Sequence, residues 1–401
     1  MPQPAFIPIL PRNNIARASL TLASSEHFLV DTGRPGHAPF DGVLEYDMLT
    51  DAFVYRYQNT RLRDAFTSQD QALMMQGFRL CFEQVFPFWI DGKESPPSKA
   101  ALQQVHDRLT MELGVSELSP RHYAWQTTNL SGNPQTVSGT YSLDLICKTW
   151  LCKPYDGSVP VSRFLAERLS FFELTFRMKE NETIAANIAL PRRIQEADLR
   201  SARRFPNSTL TVPGKLSDGI RAENETMNNG FRQNVEELNA RFRQAGYSLN
   251  YHNGLIQLAG DVLSTQQTET PFWEITSAAL WKNVDIDMKE AVDRRDNGGR
   301  DPAFYAAKAL ESTIKVISGK KGFTRGTEKG AADYIDNLVS AKNGRFIEVW
   351  ESEVLKGIFS KVRNPLGHGP GGEPMPELSP EQTNWTIETC MSWTKSLVRR
   401  L

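Results

Sequence analysis

The sequence predicts a chain in two parts: an α+β N-terminal region, residues 1–265, and an all-α helical bundle, residues 270–401. Three observations predict it. Short alternating runs separated by turn residues recur through the first part, among them Tyr247 to Leu258 interrupted by Asn253-Gly254. From Trp273 to the C-terminus, apolar residues recur at helical spacing. Between the two, Gly260 to Pro271 is polar and reads as structureless, which places the boundary there. A subsidiary break falls near 205–218.

In order, Ser19-Leu20-Thr21-Leu22 alternates, Gly33 to His37 reads as a loop, and Val43 to Tyr46 with Phe53 to Tyr57 resembles a hairpin. Asp70 to Ile90 then takes helical spacing through Leu73, Met74, Phe78, Cys81, Phe82 and Val85. Gly92 to Pro97 breaks it, and Ser98 can cap a second helix through Leu109. Residues 117–157 read as strands and turns. Val161 to Met178 is apolar nearly all round, which predicts a helix central to its core. Pro191 should open a separate helix carrying Arg192, Arg193, Arg200, Arg203 and Arg204. Those arginines are open to two readings: a solvated face partnered by Glu196 and Asp198, or a face that contacts RNA phosphates. Asn207 to Gly214 is a loop, and residues 219–245 form a long polar helix with Phe231, Val235, Leu238 and Phe242 inward. His252 reads as a surface strand residue beside the Asn253-Gly254 turn, since no second metal-ligand type clusters with it.

In the bundle, Trp281 to Arg294 forms a first helix. Asp301 at N-cap with Pro302 at N1 starts a second, which Gly319 should stop. Ala331 to Ser340 is short. Phe346, Val349, Trp350, Val354, Leu355, Ile358, Phe359 and Val362 form one apolar stripe on a helix that delivers Arg363 at its end. Pro365 disfavours helical backbone at Asn364, so that helix should stop there. Gly367, Gly369, Gly371 and Gly372 follow in a loop. Ser379-Pro380-Glu381-Gln382 is a capping box opening the last helix, completing an up-down arrangement.

Composition excludes several classes. Forty-six Lys and Arg against 47 Asp and Glu leave a net charge of −1, so any polyanion site must be local. No apolar run reaches the ~18 residues of a spanning helix, and the proline-rich start lacks the form of a signal peptide. A cytoplasmic chain without membrane association is expected. The four cysteines, Cys81, Cys147, Cys152 and Cys390, lack zinc-site spacing and read as free thiols. There is no H-E-x-x-H, P-loop, G-x-S-x-G or G-x-G-x-x-G signature, and neither a metal nor a cofactor is expected.

The remaining chemical signal is Arg363-Asn364-Pro365-Leu366-Gly367-His368. Arg presents a fixed cationic fork to phosphate oxygens, and His exchanges protons near neutrality. Together they supply charge stabilisation and proton transfer for a phosphodiester whose nucleophile is the 2′-OH of RNA. One such pair is half a site; two across a symmetric dimer complete it. A bare R-x4-H is a weak motif, and its bland reading is a helix-terminal Arg followed by a loop His. Its context is more specific. The spacing, with Asp301-Pro302 and Ala306 to Ser312 on the second helix, resembles the HEPN domain, and more narrowly the C-terminal domain of bacterial abortive-infection proteins of the AbiJ type, over about residues 280–401.

That resemblance implies a HEPN-like bundle acting as a metal-independent endoribonuclease, in anti-phage abortive infection or as a toxin. It implies a homodimer formed through the bundle, RNA such as tRNA or mRNA as substrate, and a phage-derived trigger or an antitoxin as partner. By position, Arg363 would bind the scissile phosphate, His368 would transfer protons, and Asn364 would orient either. Glu311 would be the inward acidic residue of the family pattern; read from the sequence alone it is equally a helix-surface carboxylate. Lys320, Lys321, Arg325 and Lys361, with Arg192 and Arg193, are the candidate RNA contacts. The alternative is a non-catalytic RNA-binding, dimerisation or regulatory module. Residues 1–265 are expected to sense a trigger or restrain the site.

Overall fold

The computed structural model describes residues 52–129, 132–204, 215–260, 262–367 and 377–401, and these are mostly helical. The chain divides into units 1–47 and 48–401, and every element below belongs to the second. The strands expected at Ser19–Leu22 and Val43–Tyr46, the loops Gly33–His37 and Asn207–Gly214, and His368 with Gly369, Gly371 and Gly372 lie outside the described residues.

Phe53 to Tyr57, expected as a strand, opens instead with a helix, α1 (Phe53–Arg56). Its alternation of large side chains is overridden by tertiary capping: Phe53 N–H donates to Glu173 Oε1 (3.1 Å) and Val54 N–H to Ser170 Oγ (3.0 Å). Helix α2 (Ser68–Arg79) starts from a Thr67–Asp70 capping box and runs on through a π-helical turn, Leu80–Val85. A small hairpin, β1 (Trp89–Ile90) and β2 (Lys93–Glu94), follows, then α3 (Pro96–Leu113). Ser95, not Ser98, precedes that helix, because the two prolines after Ser95 suit its first turn.

Residues 117–157 hold a hairpin, β3 (His122–Thr128) with β4 (Pro134–Thr140), but also a helix, α4 (Leu143–Leu151). Leu143, Ile146, Cys147 and Leu151 give α4 a buried helical stripe that the polar surroundings obscure. The second correction concerns α5 (Val161–Arg204), which is one 44-residue helix running straight through Pro191. At ~1.5 Å per residue it is about 66 Å long. A mid-helix proline costs about 3 kcal/mol. Contacts with α6 (Lys215–Gln244) on both sides of it offset that: Asn187 bonds Asn224 and Asn228, and Arg193 pairs with Glu223. The hairpin of β5 (Leu249–His252) and β6 (Leu255–Leu258) turns at Asn253 and Gly254, both at positive φ, as Asn-Gly predicts. In the described part of 1–265 the strands are confined to these three two-stranded hairpins, so the expected α+β region is in fact mainly α.

Gly260 to Pro271, expected to be structureless, is largely helical: α7 (Val262–Ser264), a π-helical turn Thr265–Glu269, and α8 (Thr270–Thr276). Then come α9 (Lys282–Asp296), α10 (Pro302–Lys321), α11 (Ala331–Val339), α12 (Val349–Ile358), α13 (Asn364–Gly367) and α14 (Pro380–Val398). Asp301 sits left-handed at φ 57° and makes no capping bond, because its carboxylate turns to Arg300 Nε (3.1 Å). Gly319 stays helical; Gly322, at φ 70°, ends α10, with Phe323 N–H reaching the Ser318 carbonyl. The Ser379 capping box is present as expected. Among the described residues no helix is long and apolar enough to cross a membrane.

Two hydrophobic clusters result, one from Ala52 to Ile256 around α5, the other from Phe272 to Leu397 around α10. A buried polar seam joins them. Arg56 lies between Glu173 and Asp293, Tyr57 Oη donates to Asp293 and Asp296, and Gln257 Nε2 donates to Asp293 (2.5 Å). His252, on β5, is half-buried rather than exposed: its ring lies flat on Trp273, centroids 3.9 Å apart. Burial, together with Lys289 and Arg56, pushes its pKa well below the ordinary 6.5. The unfolded chain therefore takes up a proton that the folded chain refuses as pH falls through about 6.5. The stability this site contributes is full above that value and is lost below it. His252→Phe, which keeps the ring stack, is expected to flatten the fall in melting temperature between pH 7 and pH 5, measured by calorimetry.

Candidate functional site

The apolar stripe expected on α12 splits in two. Leu355, Ile358 and Phe359 are buried, while Val349, Trp350 and Val354 are exposed. The helix then widens into a π-helical turn, Phe359–Arg363, whose last bond runs from Asn364 N–H to the Phe359 carbonyl. Arg363, four residues after buried Phe359, shares its inward side and meets α10.

There, Arg363 Nη2 lies 3.1 Å from Glu311 Oε2, and the other carboxylate oxygen lies 2.9 Å from Lys315 Nζ. Glu311 is 6% exposed, which decides between its two readings: it is an inward carboxylate. The Arg363 guanidinium also lies 5.7 Å from the centre of the Phe304 ring. Its Nε is buried and has no partner among the described residues. Phe304 presses on Gly367 as well; a Cβ there would come within 2.9 Å of the ring, so the glycine permits a close approach.

Asn364 and Lys361 are exposed beside this cluster. The chain does not stop at Asn364 as expected. Asn364 is itself helical, at φ −67° and ψ −44°, and α13 continues to Gly367. The i→i−5 bond ahead of Pro365 widens the turn into which its ring must fit, so the proline is accommodated. His368 follows directly, outside the described residues.

The other candidates are not gathered here. Lys320, Lys321 and Arg325 are exposed at the far end of α10; ten residues past Glu311 is about 15 Å along the helix. Lys321 Nζ donates to the Leu401 carbonyl (3.2 Å), and Arg325 N–H to Glu328 (2.6 Å). Arg192 and Arg193 lie on α5 and pair with Glu196 (2.8 Å) and Glu223 (2.9 Å). Ion-paired in this way, they fit the solvated-face reading.

Sequence reasoning missed Lys315 and Phe304. Lys315 was findable as the i+4 partner of Glu311; no sequence signal sets the Phe304 ring beside Arg363. It also missed a cleft of about 1110 Å³ that reaches Leu366 and is lined by Arg294, Arg300, Gly299 and Thr383 among others. The thiols of Cys81 and Cys390 are buried, which pushes each up to about 12 and leaves them inert. Among the described residues no group of His, Cys, Asp and Glu is placed to hold a metal ion. No family model, curated protein or solved structure matches the chain.

Proposed function

We propose that the C-terminal bundle is a HEPN-type, metal-independent endoribonuclease, acting in abortive infection against phage or as a toxin. The observation that carries the reading is the Arg363–Glu311 pair, which fixes a guanidinium at the point where the chain leads into His368. A buried carboxylate on one edge of that fork restrains its orientation, so little ordering remains when a phosphate binds the exposed part. Lys315 adds a second cation on the same carboxylate. In the proposed reaction the 2′-OH attacks the adjacent phosphorus, His368 accepts or donates the proton, and Arg363 stabilises the charge on the phosphorane oxygens. The products are a 2′,3′-cyclic phosphate and a 5′-OH end. A homodimer supplies the second His and Arg, and residues 1–265 sense a trigger or restrain the site through the polar seam.

A second reading has an observation of its own. Arg363 is held by a buried carboxylate and an aromatic ring, as in a purely structural clamp, and the bundle then binds RNA or dimerises without cutting it. Incubation of the purified protein with total RNA in EDTA separates the two. Cleavage that persists in EDTA, ends in cyclic phosphate and disappears in His368→Ala supports the nuclease. Binding without cleavage by the wild type supports the module.

A further inference from the structure

The hairpin β3–β4 is almost entirely exposed along both strands, and among the described residues its strands pair only with each other. The phase of its ladder fixes which backbone groups remain open. Tyr141 N–H bonds the Arg121 carbonyl (2.8 Å) at one end, and Asn129 N–H bonds the Asn133 carbonyl (2.9 Å) at the other. Antiparallel pairs alternate, so Tyr123, Trp125 and Thr127 spend their backbone groups on β4. His122, Ala124, Gln126 and Thr128 point theirs outward. On the β4 side the corresponding edge begins with Pro134, which has no N–H to offer. The β3 edge is the complete one.

Such an edge is ordinarily blunted by lysine, proline or an inward charge. From His122 to Tyr141 there is no Asp, Glu, Lys or Arg. The odd-numbered face carries packed aromatics: Tyr123 stacks on Trp125 with centroids 4.9 Å apart and lies tilted against Tyr141 at 4.7 Å. Gly139 opposite Tyr123 leaves room for that ring. These rings have the form of a base-stacking platform, but the hairpin itself carries no Lys or Arg to hold a phosphate chain. The nearest arginine, Arg121, is held by Glu117 (2.6 Å).

We propose that the β3 edge is a self-association surface, on which a second copy of this chain pairs antiparallel about a two-fold axis at Trp125. In that register His122 opposes Thr128 of the second copy and Ala124 opposes its Gln126. Every outward donor on each strand then meets an acceptor. The two Trp125 rings, each 52% exposed in the single chain, face each other in a non-hydrogen-bonded pair, where side chains approach most closely. A two-fold axis sets like against like, so the uncharged strand is what such a pairing requires. This interface is separate from the bundle, and with a bundle dimer it would link chains into a closed tetramer or an open array.

Two measurements on the full-length protein test it. Ala124→Pro removes one outward N–H and no bond to β4, a substitution that edge strands tolerate. It is expected to reduce the mass measured by analytical ultracentrifugation at least twofold, with circular dichroism unchanged. In a Cys152→Ser background, Trp125→Cys is expected to form a disulfide-linked dimer under mild oxidation. Tyr123→Cys alone is not, because it faces Thr127 of the second copy; mixed with Thr127→Cys protein, it cross-links. An unchanged mass in Ala124→Pro overturns the proposal, as does equal cross-linking of Tyr123→Cys and Trp125→Cys. Failure of both Trp125→Cys and the Tyr123→Cys/Thr127→Cys mixture to cross-link overturns it too. None of these outcomes depends on nuclease activity.

Discussion

Arg56→Ala is expected to lower the unfolding free energy by about 3–5 kcal/mol, the range for removing one partner of a buried ion pair. The side chain of Glu173 is fully buried, and Arg56 also reaches Asp293, which is 19% exposed. Truncation leaves two carboxylates facing each other across the seam with one cation fewer. Arg177 (3.0 Å) and the N–H groups of Phe53 and Ile256 still reach Glu173, but they also depend on its charge and position. Arg56→Met combined with Glu173→Gln is expected to recover part of the loss, since Gln removes a buried charge that has lost one of its cations, while its single amide oxygen still accepts from one of those two N–H groups. Urea titration of the three proteins measures this. A loss below 1 kcal/mol for Arg56→Ala would show that the seam is solvated and does not couple the two cores.

Arg363→Ala is expected to lower RNA cleavage by about 10²–10³-fold, the scale of removing one preorganised donor to a transition-state oxyanion. Arg363→Lys should not restore it, because an ammonium cannot hold Glu311 and a phosphate with one planar fork. Glu311→Gln is the discriminating variant. If Glu311 restrains Arg363 for the reaction, the rate constant falls with little change in the apparent affinity for RNA. If Glu311 only braces the fold of the nuclease, stability falls and the cleavage parameters of the folded protein stay as they are. Single-turnover kinetics beside a thermal melt separates the two.

The helical part of this architecture was legible where local signals and packing agree. The Ser379 capping box and the Asn253-Gly254 turn both stand as read, since each is a local signal set beside a matching apolar period. Other elements were illegible for identifiable reasons. Phe53 to Arg56 reads as a strand because its caps, Glu173 and Ser170, lie more than a hundred residues away. The continuity of α5 through Pro191 depends on the Asn187–Asn228 and Arg193–Glu223 contacts, which no local window contains. His252 reads as a surface residue until Trp273 is brought over it.

The candidate site was half legible. Arg363 could be picked out because a cation before a Pro/Gly segment is a local pattern. The inward direction of Glu311 could not, because a carboxylate on an amphipathic helix looks the same on either side of the polar boundary. The π-helical turn that carries Arg363 has no propensity signal. The split of the α12 stripe, with Trp350 62% exposed, also escapes a count of apolar spacing, which cannot tell a buried face from an unpartnered one.

The most direct test of the central claim is sequencing of RNA 5′-OH ends from cells expressing the wild type, Arg363→Ala or His368→Ala at matched levels. The account predicts discrete 5′-OH ends in the wild type alone, with both variants folded. The same ends in either variant, or none in a wild type that binds RNA, would contradict it.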